Sequence, residues 1–192
     1  MKTSMMKNLG LGFGLCVAMQ LSTLVSQPVL AQNNKSWTTV ASAGTVNDQD
    51  LAKIELSGGG LASFNAAAAA SDTAWLRYNV VAVDGLFVAG YPQMRVRFQD
   101  NGGNAQVVVN LMEITLSTGV IKKILELDSN NFAAAPLLQT QETGACDAFG
   151  LSSFNFTDKA YYIEAKLTRT NANGFPRLAA IQLYNSPASC VP

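Results

Sequence analysis

The acidic residues of the chain are scattered, with no catalytic motif around them. Asp48 and Asp50 flank one residue, and Glu126 and Asp128 precede the turn 129–131. A pair of carboxylates is what most glycosidases use to hydrolyse a glycosidic bond. Asp is also a residue that turns prefer, and this spacing is specific to no reaction. A carboxylate-based, glycan-cleaving enzyme is therefore one hypothesis, and solvated turn residues are the alternative.

The chain contains no histidine. Its absence excludes Ser-His-Asp and Cys-His nucleophilic catalysis, His-ligated metal sites and the usual pH switch near neutrality. The turns 100–104 and 128–131 carry the oxygen atoms that calcium takes as ligands, but neither matches an EF-hand loop. The sequence therefore predicts no metal site and no cofactor, and it favours a non-catalytic protein.

Six aromatic residues could form a stacking surface for sugar rings: Trp37, Trp75, Tyr78, Tyr91, Tyr162 and Tyr184. Of these, Tyr162, Tyr91 and Trp75 are the leading candidates for ligand contact. An aromatic ring offers a sugar a flat apolar surface, and tyrosine and tryptophan add a polar edge. Tyr162 lies on the polar side of its predicted strand, and Tyr91 precedes Pro92 at a strand entrance. The alternative for each ring is a place in the core or an isolated exposed position.

Two arginines, Arg95 and Arg97, lie on the polar side of a predicted hairpin strand. Gly102 and Gly103 fit its two-residue loop, and the apolar residues of the two flanking segments then pair on one face. Guanidinium groups in a row would bind an anionic polysaccharide or another carboxylate. A solvated strand face, with the arginine stems covering apolar neighbours, is the alternative.

The elements that must position these residues are short strands separated by polar turns. Runs rich in Val, Ile, Leu, Thr and aromatic residues alternate with Gly, Asn, Asp and Ser from residue 37 onward. A second predicted hairpin follows the first, with its loop at 117–119. The alanines 66–70 are predicted to form a loop or one helical turn. This rhythm predicts a single-domain, all-β antiparallel β-sandwich, with a jelly roll as the plausible form. Further strands are predicted at 37–46, 51–56, 75–83, 137–141, 161–169 and 178–184.

The N-terminal segment 1–31 has the three parts of a secretory signal peptide. Lys2 and Lys7 precede an apolar stretch over 9–19, and Val29-Leu30-Ala31 ends it with a small residue. The apolar run is shorter than the roughly 20 residues of a membrane span. The sequence therefore predicts a mature domain of residues 32–192, without a membrane span, in the periplasm or outside the cell.

The charge balance and the cysteines limit partners and redox state. The chain has 13 basic and 13 acidic residues and no basic stripe, which argues against a nucleic-acid partner. Cys16 leaves with the signal peptide, so Cys146 and Cys190 form an even pair in an oxidising compartment. The sequence therefore predicts a disulfide between them, with free thiols or an intermolecular bridge as alternatives.

The leading hypothesis is a secreted, non-catalytic β-sandwich that binds a ligand, with extracellular glycan as the first class to test. Export, the absence of histidine and the aromatic residues favour it. A structural or self-associating surface or matrix protein is the second hypothesis, because a chain with 14% charged residues and many strands suits association at strand edges. The carboxylate-based enzyme is the third.

We expect exported protein to begin at Gln32 with Cys146 bonded to Cys190, because both cysteines lie beyond the predicted cleavage site. Intact-mass measurement before and after reduction, followed by non-reducing peptide mapping, tests both expectations. A mass that retains residues 1–31, or two free thiols in the mapped peptides, would contradict them.

Overall fold

The computed structural model describes residues 36–83, 86, 91–144 and 154–186. The predicted signal peptide 1–31 and the predicted Cys146–Cys190 disulfide lie outside the described residues. Within the described part the chain forms eleven strands, with short 3₁₀ turns at Ala41–Ala43, Asp48–Asp50 and Ser129–Asn131. The strands are β1 (Trp37–Val40), β2 (Thr45–Val46), β3 (Ile54–Leu56), β4 (Ala62–Phe64), β5 (Asp72–Val80), β6 (Tyr91–Asp100), β7 (Ala105–Thr115), β8 (Ile121–Asp128), β9 (Ala135–Gly144), β10 (Lys159–Arg169) and β11 (Arg177–Ser186).

The strands form two antiparallel sheets that pack as a sandwich, which confirms the predicted fold class. The first sheet has the order β3-β4-β11-β6-β9, and β1 pairs with β11 on the same edge as β4. The second sheet has the order β2-β5-β10-β7-β8. The last four strands of each order, β4-β11-β6-β9 and β5-β10-β7-β8, are arranged as in a jelly roll.

The core lies between the two sheets and is built from alternate residues of each strand. On β6, Met94, Val96 and Phe98 are fully buried, while the residues between them face outward. The predicted apolar side of β10, which includes Ile163 and Leu167, is buried against them. Burial of these side chains stabilises the fold by roughly 1.5–3 kcal/mol each, so the alternation fixes which residues are left for solvent.

The first predicted hairpin is wrong, because β6 and β7 lie in different sheets. The turn at Gly102 and Gly103 carries the chain from the first sheet across to the second, with the Ala105 amide donating to the Gly102 carbonyl at 2.8 Å. The apolar residues of the two strands meet face to face rather than side by side. Both arrangements bury the same residues, so the alternation alone does not distinguish them.

The second predicted hairpin is confirmed between β7 and β8. Leu111 lies opposite Leu125 as expected, and Gly119 takes the left-handed conformation with φ of 69°. A register shift after Leu111 places Glu113 opposite Lys122, one residue away from the partner that regular pairing would give.

One other predicted segment changes form in the structure, and another keeps its predicted form. The predicted strand 37–46 is divided by the turn Ala41–Ala43, so that β1 belongs to the first sheet and β2 to the second. The alanines 66–70 form turns and bends, which agrees with the predicted loop.

A buried hydrogen bond joins the two sheets at one end of the sandwich. Asp100, at the end of β6, accepts from the Ser129 hydroxyl and from the Gly102 amide, and Asp100 and Ser129 are 3% and 1% exposed. The Ser129 oxygen accepts in turn from the Val107 amide at 2.9 Å. The candidate calcium turns are therefore bonded to each other through Ser129, which leaves each Asp100 oxygen with a protein donor.

We expect Ser129→Ala to lower the free energy of unfolding by about 1–3 kcal/mol, because it leaves a buried carboxylate oxygen and a buried amide without a partner. Urea denaturation measures the loss. Ser117→Ala, in the exposed hairpin loop, is the matched control and should change stability by less than about 0.5 kcal/mol. Equal effects of the two substitutions would show that the hydrogen bond between the sheets contributes no stability.

Candidate functional site

The five residues that the sequence singles out do not form one site. Tyr91, Arg95 and Arg97 lie along β6 on the outer face of the first sheet. Trp75 on β5 and Tyr162 on β10 lie on the outer face of the second sheet, on the other side of the sandwich. The structure therefore offers two separate surfaces to compare.

The outer face of the first sheet is a polar platform that spans four strands. Arg95 stands between Gln182 of β11 and Glu142 of β9, and Arg97 stands between Ala180 and Thr140 of the same two strands. As the candidate site for a ligand, this platform is called the binding face. It consists of Ser36 and Thr38 from the β1 region, Tyr91, Gln93, Arg95 and Arg97 from β6, Thr140 and Glu142 from β9, and Ala180, Gln182 and Tyr184 from β11.

A continuous hydrogen-bond network fixes the side chains of the binding face. Arg95 donates from Nε to Glu142 Oε1 at 2.5 Å and from Nη1 to Gln182 Oε1 at 3.0 Å. Its guanidinium carbon lies 5.2 Å from the centre of the Tyr184 ring, and the Tyr184 hydroxyl donates to Glu142 Oε2 at 2.8 Å. Gln182 extends the network by donating to Ser36 Oγ at 2.9 Å. Each of these five side chains is held by at least one of the others, so this part of the face is ordered without a ligand.

The network also sets the charge state of its members. The Tyr184 hydroxyl lowers the pKa of Glu142 below its ordinary value, with Arg95 acting in the same direction and partial burial opposing both. Burial raises the pKa of Tyr184, and the Glu142 carboxylate adds to the rise. A carboxylate whose pKa falls on folding contributes stability above its unfolded pKa and loses that contribution as the pH falls through the lowered value. Glu142 is therefore ionised, and Tyr184 neutral, at neutral pH.

The two ends of β6 complete the surface. Tyr91 begins the strand and is 40% exposed, which confirms its predicted position at a strand entrance. The Gln93 amide lies over Gly144, in space that a side chain at that position would occupy. Farther along the strand, Arg97 donates from Nη1 to Thr140 Oγ1 at 3.2 Å.

The outer face of the second sheet is less open around its aromatic residues. Trp75 and Tyr162 are both half-buried, and the Lys166 ammonium lies 5.8 Å from the centre of the Trp75 ring. Arg77 and Glu164 form an ion pair at 3.2 Å in the rows between them. The two rings are thus separated by charged side chains, and they do not form a joint stacking surface.

One carboxylate of each pair proposed for an enzyme forms hydrogen bonds within the fold. Asp50 is 1% exposed and accepts from Lys53 Nζ at 3.1 Å and from the Trp75 amide at 3.0 Å. Asp128 accepts from the Gln106 side chain at 2.9 Å. The other member of each predicted pair is exposed. These contacts are structural, and they do not place two carboxylates across a cleft.

A shallow cleft of about 410 Å³ at the edge of the second sheet contains one acidic residue. It is lined by Thr45, Val46, Asn47, Asp48, Gln49 and Arg77. In the part of the chain that the structure describes, no three His, Cys, Asp or Glu side chains come together as metal ligands, and no helix is long and apolar enough to cross a membrane.

Comparison with known proteins gives structural neighbours only. No protein-family model matches the chain, and no curated protein matches it significantly. Carbohydrate-binding modules are among the similar solved structures. One is the C-terminal family 6 module of a marine laminarinase from Zobellia galactanivorans, 11% identical over 79% of this chain and 100% of the module, with a TM-score of 0.46. A second is a family 36 module of a xylanase from the hindgut metagenome of Trinervitermes trinervoides, 12% identical over 80% and 100%, with a TM-score of 0.44.

A family two carbohydrate esterase from Cellvibrio japonicus is also similar, at 14% identity and a TM-score of 0.39. The match covers 83% of this chain, and the chain spans 37% of the length of the esterase. At these identities the likeness concerns the fold alone, and no residue of this chain takes a role from it.

Sequence reasoning missed most of the partners of Arg95. Glu142 and Gln182 lie on β9 and β11, far from β6 in the sequence. Tyr184 was predicted only as one of six aromatic residues that could contact a sugar. The alternation on β11, with Leu183 and Ile181 buried, signals that Gln182 and Tyr184 face outward. No local signal tells which strand lies beside β11.

We expect Tyr184→Phe to raise the pKa of Glu142 toward its ordinary value, because the substitution removes the hydroxyl that donates to the carboxylate. NMR titration of the glutamate carboxyl carbons measures this shift. Tyr91→Phe, on the same face but without a bond to Glu142, is the control and should leave the titration unchanged. An unchanged Glu142 titration in the Tyr184 variant would rule out the bond in solution.

Proposed function

We propose that this protein is a non-catalytic glycan-binding module and that its binding face is the glycan site. The observation that carries the proposal is the network around Arg95, which holds Glu142, Gln182 and Tyr184 in fixed positions on an open sheet surface. Binding costs less free energy when side chains are ordered beforehand, because fewer rotamers are lost on association.

The side chains of this face match the chemistry of a sugar. Sugar hydroxyls both donate and accept, and the face offers guanidinium donors, carboxylate acceptors and amides that do both. Arg95 uses Nε and Nη1 within the network, so its Nη2 is left to face a ligand. Tyr184 adds a half-buried ring for the apolar side of a pyranose. The proposal rests on these residues, since a sandwich fold by itself does not determine a ligand.

Export and the disulfide belong to the same proposal. The signal peptide 1–31 would deliver the domain 32–192 to the periplasm or the cell exterior, where glycans are available. Cys146 and Cys190 would be oxidised in either place. The arrangement of the carboxylates gives no reason to add a reaction to the binding role.

We expect Tyr184→Ala and Arg95→Ala each to weaken glycan binding by about tenfold or more, because each removes a central contact of the network. Affinity electrophoresis against a panel of neutral and acidic polysaccharides, followed by calorimetry on those that bind, measures the loss. Tyr162→Ala, which removes a half-buried tyrosine from the second sheet, is the matched control and should keep full affinity.

Thermal unfolding by circular dichroism shows whether each variant is folded before its affinity is compared. Loss of binding in the Tyr162 variant, with full binding in the Tyr184 variant, would move the site to the second sheet. Absence of binding to every polysaccharide by the unmodified protein would refute the proposed function itself.

A further inference from the structure

The two arginines of the binding face differ in their charge partners. Arg95 forms an ion pair with Glu142. Arg97 bonds to the neutral hydroxyl of Thr140, and none of the ion pairs among the described residues includes Arg97. The guanidinium of Arg97 therefore carries an uncompensated positive charge at an exposed position of the sheet.

The geometry of Arg97 leaves a matched pair of donors open. Its hydrogen bond to Thr140 uses Nη1. Nε and Nη2 point to the same side of a guanidinium group, and together they bind both oxygens of one carboxylate. The Thr140 hydroxyl can also donate to an oxygen of the same group.

The surface next to Arg97 has room for a sugar ring. Its neighbour on β11 is Ala180, whose small side chain lies between Arg97 and Val40 of β1. Val40 is 49% exposed and gives an apolar surface beside the charge. A ring that covers Ala180 would thus place a substituent on Arg97 while it contacts Val40.

The charge around Arg97 contrasts with the rest of the domain. Without Lys2 and Lys7 of the predicted signal peptide, the chain has 11 basic and 13 acidic residues. The other unpaired arginine of the sheet, Arg177, lies opposite Gln99, and Glu55 lies two strands away from it across Ser63. Arg97 and Arg177 are therefore the arginines of the described first sheet that lie outside any ion pair, and Arg97 is the one within the binding face.

From these observations we infer that the ligand of the binding face is an acidic glycan and that Arg97 binds the carboxylate of a uronic acid residue. This inference rests on the glycan-binding function proposed above and narrows it to a ligand class. Arg95 and Tyr184 bind the neighbouring sugar, whereas Arg97 selects for the charge.

An oligogalacturonate and the same oligomer with its carboxylates reduced to alcohols form a matched pair of probes. We expect the protein to bind the acidic oligomer at least about tenfold more tightly, since a charge-assisted bidentate pair is lost in the reduced one. Arg97→Gln should weaken binding of the acidic oligomer by about tenfold and weaken binding of the reduced oligomer less, so that the preference is lost. Arg77→Gln, which removes an exposed arginine from the second sheet, is the control and should keep the preference.

The outcomes separate the inference from the function on which it rests. If the protein bound the two oligomers with equal affinity and Tyr184→Ala removed that binding, the preference for an acidic glycan would be refuted and the glycan site would be supported. A preference that survives Arg97→Gln would overturn the role of Arg97. Binding of neither oligomer, nor of any polysaccharide in the panel, would overturn the inference together with the proposed function.

Discussion

The burial of alternate residues on β6 and β11 is the constraint on which the binding face depends. Met94, Val96 and Phe98 must face the second sheet to enter the core, so Arg95 and Arg97 are turned to solvent in a fixed row. The same alternation on β11 turns Gln182 and Tyr184 outward. A slip of one residue would exchange the two faces and bury the arginines, at a cost that the fold does not tolerate. The polar platform is thus positioned by the apolar core beneath it.

Sequence reasoning recovered the direction of side chains within a strand but not the choice of neighbouring strand. The outward direction of Arg95 and Arg97 was predicted correctly, because residues alternate between core and solvent along a strand that is buried on one face. The pairing of β6 with β7 was predicted wrongly, since two facing strands and two adjacent strands have the same apolar pattern. The partners of Arg95 are supplied by β9 and β11, and contacts between distant segments leave no local trace in a single sequence.

The aromatic residues show a similar limit. Tyr91 and Tyr162 are both tyrosines on polar strand faces, and from the sequence they look equivalent. The structure places Tyr91 on the same outer face as the network around Arg95, and Tyr162 two residues from Glu164, which is paired with Arg77. What distinguishes a candidate contact from an ordinary surface ring is therefore the arrangement of its neighbours, which only the fold supplies.

The central position of β11 in the first sheet also determines when that sheet can assemble. Within the described residues β1 pairs with β11 alone, and β4 is joined to the sheet through β11. During synthesis, most of the described chain therefore leaves the ribosome before β11, which joins these parts of the sheet, has been made. Pairings between such distant segments also form slowly, because a long loop must close first. Under the export proposed above, a domain whose sheet is incomplete without β11 would be assembled only after β11 has followed the rest of the domain across the membrane.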